Sequence, residues 1–267
     1  MRIARFAHAD TMAFGVVEGD LDAGAQALTV AAIEGHPFGA IRFTGQRWAL
    51  SDVRLLSPIL PSKVVCVGRN YADHAAEQHA AAPTEPLLFL KPSTSVIGPL
   101  DAIRLPTQSK QVDHEAELAI VIGAPGARRA DRSAAERAIF GYTCANDVTA
   151  RDLQATDGQW TRAKGFDSFC PIGPWIVTDF DPADREVRCE VGPDPEQREV
   201  RQLGRTRDMT FDPVTLVSYI SHVMTLLPGD VILTGTPAGV GPLAAGESVI
   251  VRIEGLGELV NPVLELG

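Results

Sequence analysis

The sequence predicts an α+β fold rich in β-strand. Three observations carry that expectation. Segments with strand patterning, apolar or alternating and bounded by Gly or Pro, far outnumber helical ones. The helical segments are isolated, so the chain lacks the regular strand–helix alternation of a parallel α/β sheet. A Pro-bracketed stretch, Ser57-Pro58-Ile59-Leu60-Pro61, divides a short β-rich front segment from the remainder. The expected organisation is a small module over 1–58 and a larger domain over 61–267.

In chain order, residues 2–6, 13–18 and 27–30 are short strand candidates, broken at Gly19, Asp20 and Gly24. Nothing in this front module carries chemistry. Residues 63–68 read as a buried strand ending at Gly68, followed by Arg69-Asn70-Tyr71 and an Ala-rich short helix with Asp73 as its candidate N-cap. Residues 78–85 form a polar loop, a candidate lid. Residues 87–92 are another buried strand, and 103–106 lead into a strand over 111–123. A helix is expected over 131–140, a strand over 141–149 and a helical turn over 150–156. Residues 159–171 look irregular. Strands follow at 174–178 and 187–191, then a charged, solvent-facing hairpin over 194–201. The apolar periodicity of 213–224 predicts a helix. A strand over 231–234 ends in a Gly-rich loop, 235–242, and strands over 249–254 and 260–266 close the sheet.

Composition narrows the function. The 267 residues can bury a large core, and the net charge of −10 argues against nucleic-acid or anionic-membrane partners. Apolar runs such as 118–122 are too short to span a bilayer. Arg2, Arg5 and Asp10 with no sustained apolar run do not make a signal peptide, so a cytoplasmic protein is expected. Cys66, Cys144, Cys170 and Cys189 are scattered without a CxxC pair, which predicts free thiols rather than structural zinc or disulfides.

The chemistry concentrates in Asp113-His114-Glu115-Ala116-Glu117-Leu118-Ala119-Ile120-Val121-Ile122-Gly123. In a strand, alternation puts Glu115 and Glu117 on one face. Two carboxylates side by side on an apolar strand repel each other unless a cation lies between them or the edge is in water. Asp147 adds a third acid near the end of another apolar strand, and three carboxylates leave open positions on a hard divalent ion. His74 and Glu77, three apart on a helix, form either a solvated surface pair or a general base braced by a carboxylate. Lys164 is either an exposed loop lysine or a buried cation beside the acids. Thr236 and the amides of the Gly-rich loop offer donors to an anion. The chain has no GxSxG elbow, P-loop or Rossmann fingerprint.

Five segments together resemble the fumarylacetoacetate hydrolase family. They are Val67-Gly68-Arg69-Asn70-Tyr71-Ala72-Asp73-His74, Phe89-Leu90-Lys91-Pro92-Ser93, Asp113-His114-Glu115-Ala116-Glu117-Leu118, Asn146-Asp147-Val148-Thr149-Ala150-Arg151-Asp152 and the run 233–241. The resemblance covers about three-quarters of the chain, from Pro61 onward. It implies a mixed β-sandwich roll, a homodimer and Mg2+ or Mn2+ held by Glu115, Glu117 and Asp147. It further implies a lid dyad of His74 and Glu77, a catalytic Lys164, and substrate contacts from Arg69 and Thr236. The substrate class would be a small 2-oxo or enol acid reacting through a metal-bound enolate. Hydrolysis of an acylpyruvate or decarboxylation of oxaloacetate stands first. Isomerisation of 2-hydroxyhepta-2,4-diene-1,7-dioate in aromatic catabolism is the alternative, and a non-catalytic metabolite-binding protein the second. Gly192-Pro193-Asp194-Pro195 departs from the Asn-Gly turn common in that family, which affects a surface loop rather than the chemistry.

Overall fold

Residues 1–77, 81 and 83–266 are described by the computed structural model. Of the loop over 78–85 read as a lid, residues 78–80 and 82 lie outside the described residues. Strands dominate, most of them antiparallel, and are arranged in several sheets. The largest, with twelve strands, runs Phe43–Ala49, Thr29–Ile33, Thr11–Glu18, Arg2–His8, Cys170–Val177, Ile139–Asn146, Ala116–Ile122, Val231–Leu233, Val64–Gly68 and Leu87–Lys91 along its main path. The strands of the front segment therefore continue the central sheet, through pairing of Arg2 with Val177 and Ile3 with Ile176. A five-stranded sheet contains Glu199–Arg205, Glu186–Gly192, Ser248–Ile253, Gly257–Glu265 and Ile103–Leu105, and packs against one face of the central one.

The alternation expected of the strand Ala116–Ile122 holds. Ala116, Leu118, Ile120 and Ile122 enter one apolar cluster together with Val187, Val249 and Ile253 of the smaller sheet. Ala119 and Val121 enter a second cluster on the opposite face, with Val64, Cys66 and Ile172. Burying each of these larger side chains is worth roughly 1.5–3 kcal/mol, so both faces of this strand are fixed by packing. Glu117 sits between Ala116 and Leu118 on the face of Ala119, with the register pinned on both edges by Ile139–Asn146 and Val231–Leu233.

The helices start where their caps dictate. Asp131 accepts a hydrogen bond from the Ala134 amide at 2.8 Å and opens Arg132–Ala138. Asp212 accepts from the Thr215 amide and, with Pro213 in the first turn, opens Pro213–Val223. Leu216, Val217 and Ile220 form the buried stripe of that helix. Asp73 is not a cap, because the helix Ala72–Glu77 already includes it. The segment 159–171 is less irregular than its composition predicts. It contains the short helix Thr161–Lys164 and the start of Cys170–Val177, both supported by burial of Ala163, Phe169 and Cys170. The strands Phe43–Ala49 and Arg54–Leu56 carry no alternating signal because their side chains are mostly exposed or half-buried. All four cysteines are free and buried in strands. No helix among the described residues is long and apolar enough to cross a membrane.

Candidate active site

The expected continuous strand over 111–123 is broken. Val112–His114 pairs with Thr149–Ala150 and Gly241–Pro242, while Ala116–Ile122 belongs to the central sheet. Glu115 sits at the break. Its amide donates to the Asn146 side-chain oxygen at 2.9 Å, and its carbonyl accepts from the Asp147 amide at 2.9 Å. A side chain thus replaces the ladder at this residue, and the same two bonds fasten the chain carrying Glu115 to the chain carrying Asp147. The break matters because it lets the Glu115 and Glu117 carboxylates converge with Asp147. One oxygen from each lies within 4.8 Å of the others, and all three residues are buried.

Their electrostatics are unequal. The Lys164 ammonium donates to Glu115 Oε2 at 3.0 Å and to Asp147 Oδ2 at 2.7 Å. The Arg151 guanidinium holds Glu115 Oε1 at 2.6 Å and Asp113 at 2.9 Å. Lys91, fully buried, lies 2.6 Å from Asp147 Oδ1 as an ion pair, and directs its hydrogen bonds to the carbonyls of Val148 and Lys164. Three cations therefore match Asp113, Glu115 and Asp147. Glu117 is the fourth acid and makes no ion pair among the described residues. It accepts one hydrogen bond, from the Gly235 amide at 2.6 Å. Burial opposes ionisation of Glu115, but Lys164 and Arg151 prevail and hold its carboxyl well below the usual range. At Glu117 burial, reinforced by the charges of Asp147 and Glu115, pushes the carboxyl well above the usual range. Burial disfavours the Lys164 charge, yet Asp147 and Glu115 raise its pKa overall. This arrangement fits a divalent cation: three converging carboxylates, one of them lacking a counter-charge, in a site closed to bulk water.

Of the other residues singled out from the sequence, Arg69, His74, Lys164 and Thr236 line the same cavity beside the three acids and Phe89, while Glu77 lines the adjoining outer cleft. His74 is buried and its Nδ1 lies 3.1 Å from Glu77 Oε2. A carboxylate only accepts, so the Nδ1 facing Glu77 carries a proton. Glu77 also accepts from the Gly239 amide at 3.1 Å, tying the helix Ala72–Glu77 to the Gly-rich loop. Arg69, in the left-handed region at φ 57°, stacks over Trp160 at 6.0 Å. Arg69, Gln154 and Trp160 also line an outer cleft of about 460 Å³ that adjoins the cavity. Thr236 is differently placed from a plain donor. Its hydroxyl donates to the Ala116 carbonyl at 2.8 Å and accepts from Gln202 Nε2 at 2.7 Å, so what it offers an incoming anion is limited.

The Gly-rich loop is shaped by its glycines. Gly235 has φ +98°, and a Cβ there would lie 2.7 Å from the Cβ of Asn70. Asn70 is itself locked, donating to the carbonyls of Phe211 and Thr234 and accepting from the Phe211 amide. Gly235→Ala is therefore expected to destabilise the protein by about 1–3 kcal/mol. It should also withdraw the amide from Glu117. A thermal melt of the variant within one degree of wild type would contradict this.

Sequence reasoning missed four contributors: Lys91, Arg151, Asn146 and Gln202. The first three fall inside segments that carry the family resemblance, and a lone Lys ending the apolar strand Leu87–Lys91 was a usable signal. Gln202 had none. It directly follows the hairpin 194–201 expected to face solvent, on a strand whose neighbours are largely exposed, yet it is 1% exposed.

The chain is similar to several known proteins over its whole length. Residues 63–264 match the family model described as fumarylacetoacetate (FAA) hydrolase C-terminal, and residues 1–58 match Rv2993c-like, N-terminal. The chain is 54% identical over 275 residues to Protein Rv2993c of Mycobacterium tuberculosis, covering 100% of this chain and 99% of that one. It is 43% identical over 227 residues to the human mitochondrial oxaloacetate tautomerase FAHD2A, covering 80% of this chain and 70% of the relative. A crystal structure of 2-hydroxyhepta-2,4-diene-1,7-dioate isomerase from Mycobacterium marinum superposes with TM-score 0.91 at 53% identity, over 100% of this chain and 99% of that one. A maleylpyruvate hydrolase from Sphingobium sp. SYK-6, in complex with manganese(II) and pyruvate, superposes with TM-score 0.78 at 31% identity, over 99% of each chain.

Proposed function

The chain is an enzyme of the fumarylacetoacetate hydrolase family, and from that premise we propose that it moves a proton on a small 2-oxo or 2-enol dicarboxylic acid, as a divalent-metal-dependent isomerase or tautomerase. The observation that carries this reading is the buried His74, held through Nδ1 by Glu77, lining one cavity with three converging carboxylates and Lys164. Glu115, Glu117 and Asp147 would hold Mg2+ or Mn2+, which supplies Lewis-acid stabilisation of a developing enolate when bound. His74 Nε2 accepts the proton from the carbon next to the 2-oxo group and returns it at the new position. Glu77 fixes the tautomer and supports the imidazolium that forms in between. The Lys164 ammonium uses two of its three N–H donors on Glu115 and Asp147 and keeps the third for substrate oxygen. Arg69, at the junction of cavity and outer cleft, takes the far carboxylate, and Thr236 lines the same cavity. A homodimer is part of the same reading, and the mass of the protein in solution checks it.

The sequence put C–C hydrolysis or decarboxylation first. The balance moves toward proton transfer because the relatives named isomerase and tautomerase are 53% and 43% identical, against 38% for a fumarylacetoacetate hydrolase and 31% for the maleylpyruvate hydrolase. Hydrolysis remains the second reading, since a base braced like His74 also activates water.

The test follows the enol absorbance of oxaloacetate and of a 2-hydroxydienoate dicarboxylate with Mg2+ or Mn2+, alongside pyruvate and CO2. Enol loss faster than the metal-containing buffer control, without pyruvate, is expected. His74→Ala should slow it by roughly 10²–10⁴-fold. Stoichiometric pyruvate would replace this reading by the hydrolytic or decarboxylating one, and no acceleration with either substrate would remove it.

A further inference from the structure

Gln202 sits on a strand, Glu199–Arg205, whose other residues are exposed or half-buried, yet its side chain reaches the strand break at Glu115. We infer that Gln202 is a positioning residue for the metal centre, setting the separation of Glu115 and Glu117 from outside the ligand set. This rests on the reading that Glu115, Glu117 and Asp147 bind a divalent cation.

All four hydrogen-bonding positions of the Gln202 amide are used. Its oxygen accepts from the Ala116 amide at 2.9 Å and from His114 Nδ1 at 2.9 Å. Its nitrogen donates to Thr236 Oγ1 at 2.7 Å and to the Pro237 carbonyl at 2.8 Å. His114 and Ala116 are the two neighbours of Glu115, so one side-chain oxygen grips the chain on both sides of a ligand. Thr236 in turn donates to the Ala116 carbonyl at 2.8 Å. Gln202, Thr236 and Ala116 thus close a ring of hydrogen bonds around the peptide that joins Glu115 to the strand carrying Glu117. The ring extends to Glu117 itself, because Gly235, next to Thr236, donates its amide to Glu117 Oε2 at 2.6 Å.

The strand break explains why a side chain is needed. At Glu115 the chain leaves one sheet and enters another, and the Ala116 amide is met by Gln202 Oε1. A buried amide without such a partner is costly, so the break and the glutamine belong together. His114 is buried, and its Nδ1 donates to Gln202 Oε1, so it serves as a fixed donor here. An outer-shell group that fixes a ligand's direction changes metal affinity without touching the metal.

The test is Mn2+ binding, read as the electron paramagnetic resonance signal of free Mn2+, on wild type, Gln202→Met and Gln202→Asn. Methionine keeps the volume and removes all four bonds. Asparagine keeps the chemistry but, one methylene shorter, reaches either the strand or the loop and not both. The expected result is Mn2+ binding weakened by roughly 10–100-fold in Gln202→Met and by about three- to tenfold in Gln202→Asn, the range typical of outer-shell partners. A merely structural glutamine would lower the melting temperature of the metal-free variants and leave their Mn2+ dissociation constant unchanged. Either folded variant binding Mn2+ within twofold of wild type overturns the inference, and Gln202→Asn decides it if Gln202→Met does not fold. Absence of Mn2+ binding by wild type would overturn the metal reading as well, which separates the two failures.

Discussion

Glu117→Gln will abolish divalent-metal binding and turnover while leaving the metal-free protein as stable as wild type or more so. The two effects point in opposite directions because Glu117 is the acid without a cationic partner among the described residues. In the absence of metal its carboxyl is pushed well above the usual range by burial and by Asp147 and Glu115. Glutamine resembles that protonated form and still accepts from the Gly235 amide. Metal binding, by contrast, requires the carboxylate. Losing one ligand of three should exceed the roughly 10–100-fold penalty that follows loss of an outer-shell partner. The sign with pH follows from the same shift. A carboxyl whose folded pKa lies above its unfolded value gives its full stability below the unfolded value, and loses it as pH rises through the folded one. The metal-free protein therefore loses this contribution as pH rises above the ordinary carboxylate range. Binding a divalent cation expels the proton, so metal affinity rises across the same window. Melting curves of wild type with and without Mn2+ should diverge with increasing pH, and those of Glu117→Gln should coincide at every pH. A Glu117→Gln protein that still gains stability from Mn2+ would place the cation elsewhere.

How far the sequence exposed this site depends on the kind of interaction. The strand alternation of 116–122 was readable because a period of two is imposed by the backbone and both faces are buried. The acids were readable because a carboxylate inside an apolar run needs compensation, which cationic side chains supply to Glu115 and Asp147 and which Glu117 still lacks. The break at Glu115 was not readable. It depends on Asn146 and Gln202, which come from distant segments and replace ladder bonds with side-chain bonds. Gln202 illustrates the general difficulty. Along its own strand it is one polar residue among several, and only the packing of the hairpin against the central sheet makes it buried. The roles of Lys91 and Arg151 fall in between. Their segments carried the resemblance, but their pairing with Asp147 and Glu115 is a fact of tertiary structure. The strand Phe43–Ala49 was invisible for the opposite reason, since a largely exposed edge strand has no buried face to impose a pattern.

Lys164→Met should reverse the behaviour of Glu117→Gln, destabilising the metal-free protein and becoming strongly metal-dependent for folding. The Lys164 ammonium is shared by Glu115 Oε2 and Asp147 Oδ2, both fully buried. Removing one partner of a buried ion pair leaves uncompensated charge and costs about 3–5 kcal/mol, the lower end applying here because Arg151 and Lys91 remain on the other oxygens. Added Mn2+ can replace the missing positive charge, so the variant should gain more stability from metal than wild type does, with stabilisation following the logarithm of metal concentration over the dissociation constant. Turnover should not return with the metal. If the third N–H of Lys164 serves the substrate oxygen, its loss removes a preorganised donor, a change worth roughly 10²–10³-fold in kcat. Stability and activity thus separate in one variant: metal restores the first and leaves the second low. Recovery of turnover to within tenfold of wild type at saturating Mn2+ would confine Lys164 to holding the carboxylates together. An unchanged melting temperature without metal would mean that Glu115 and Asp147 already share enough positive charge from Arg151 and Lys91.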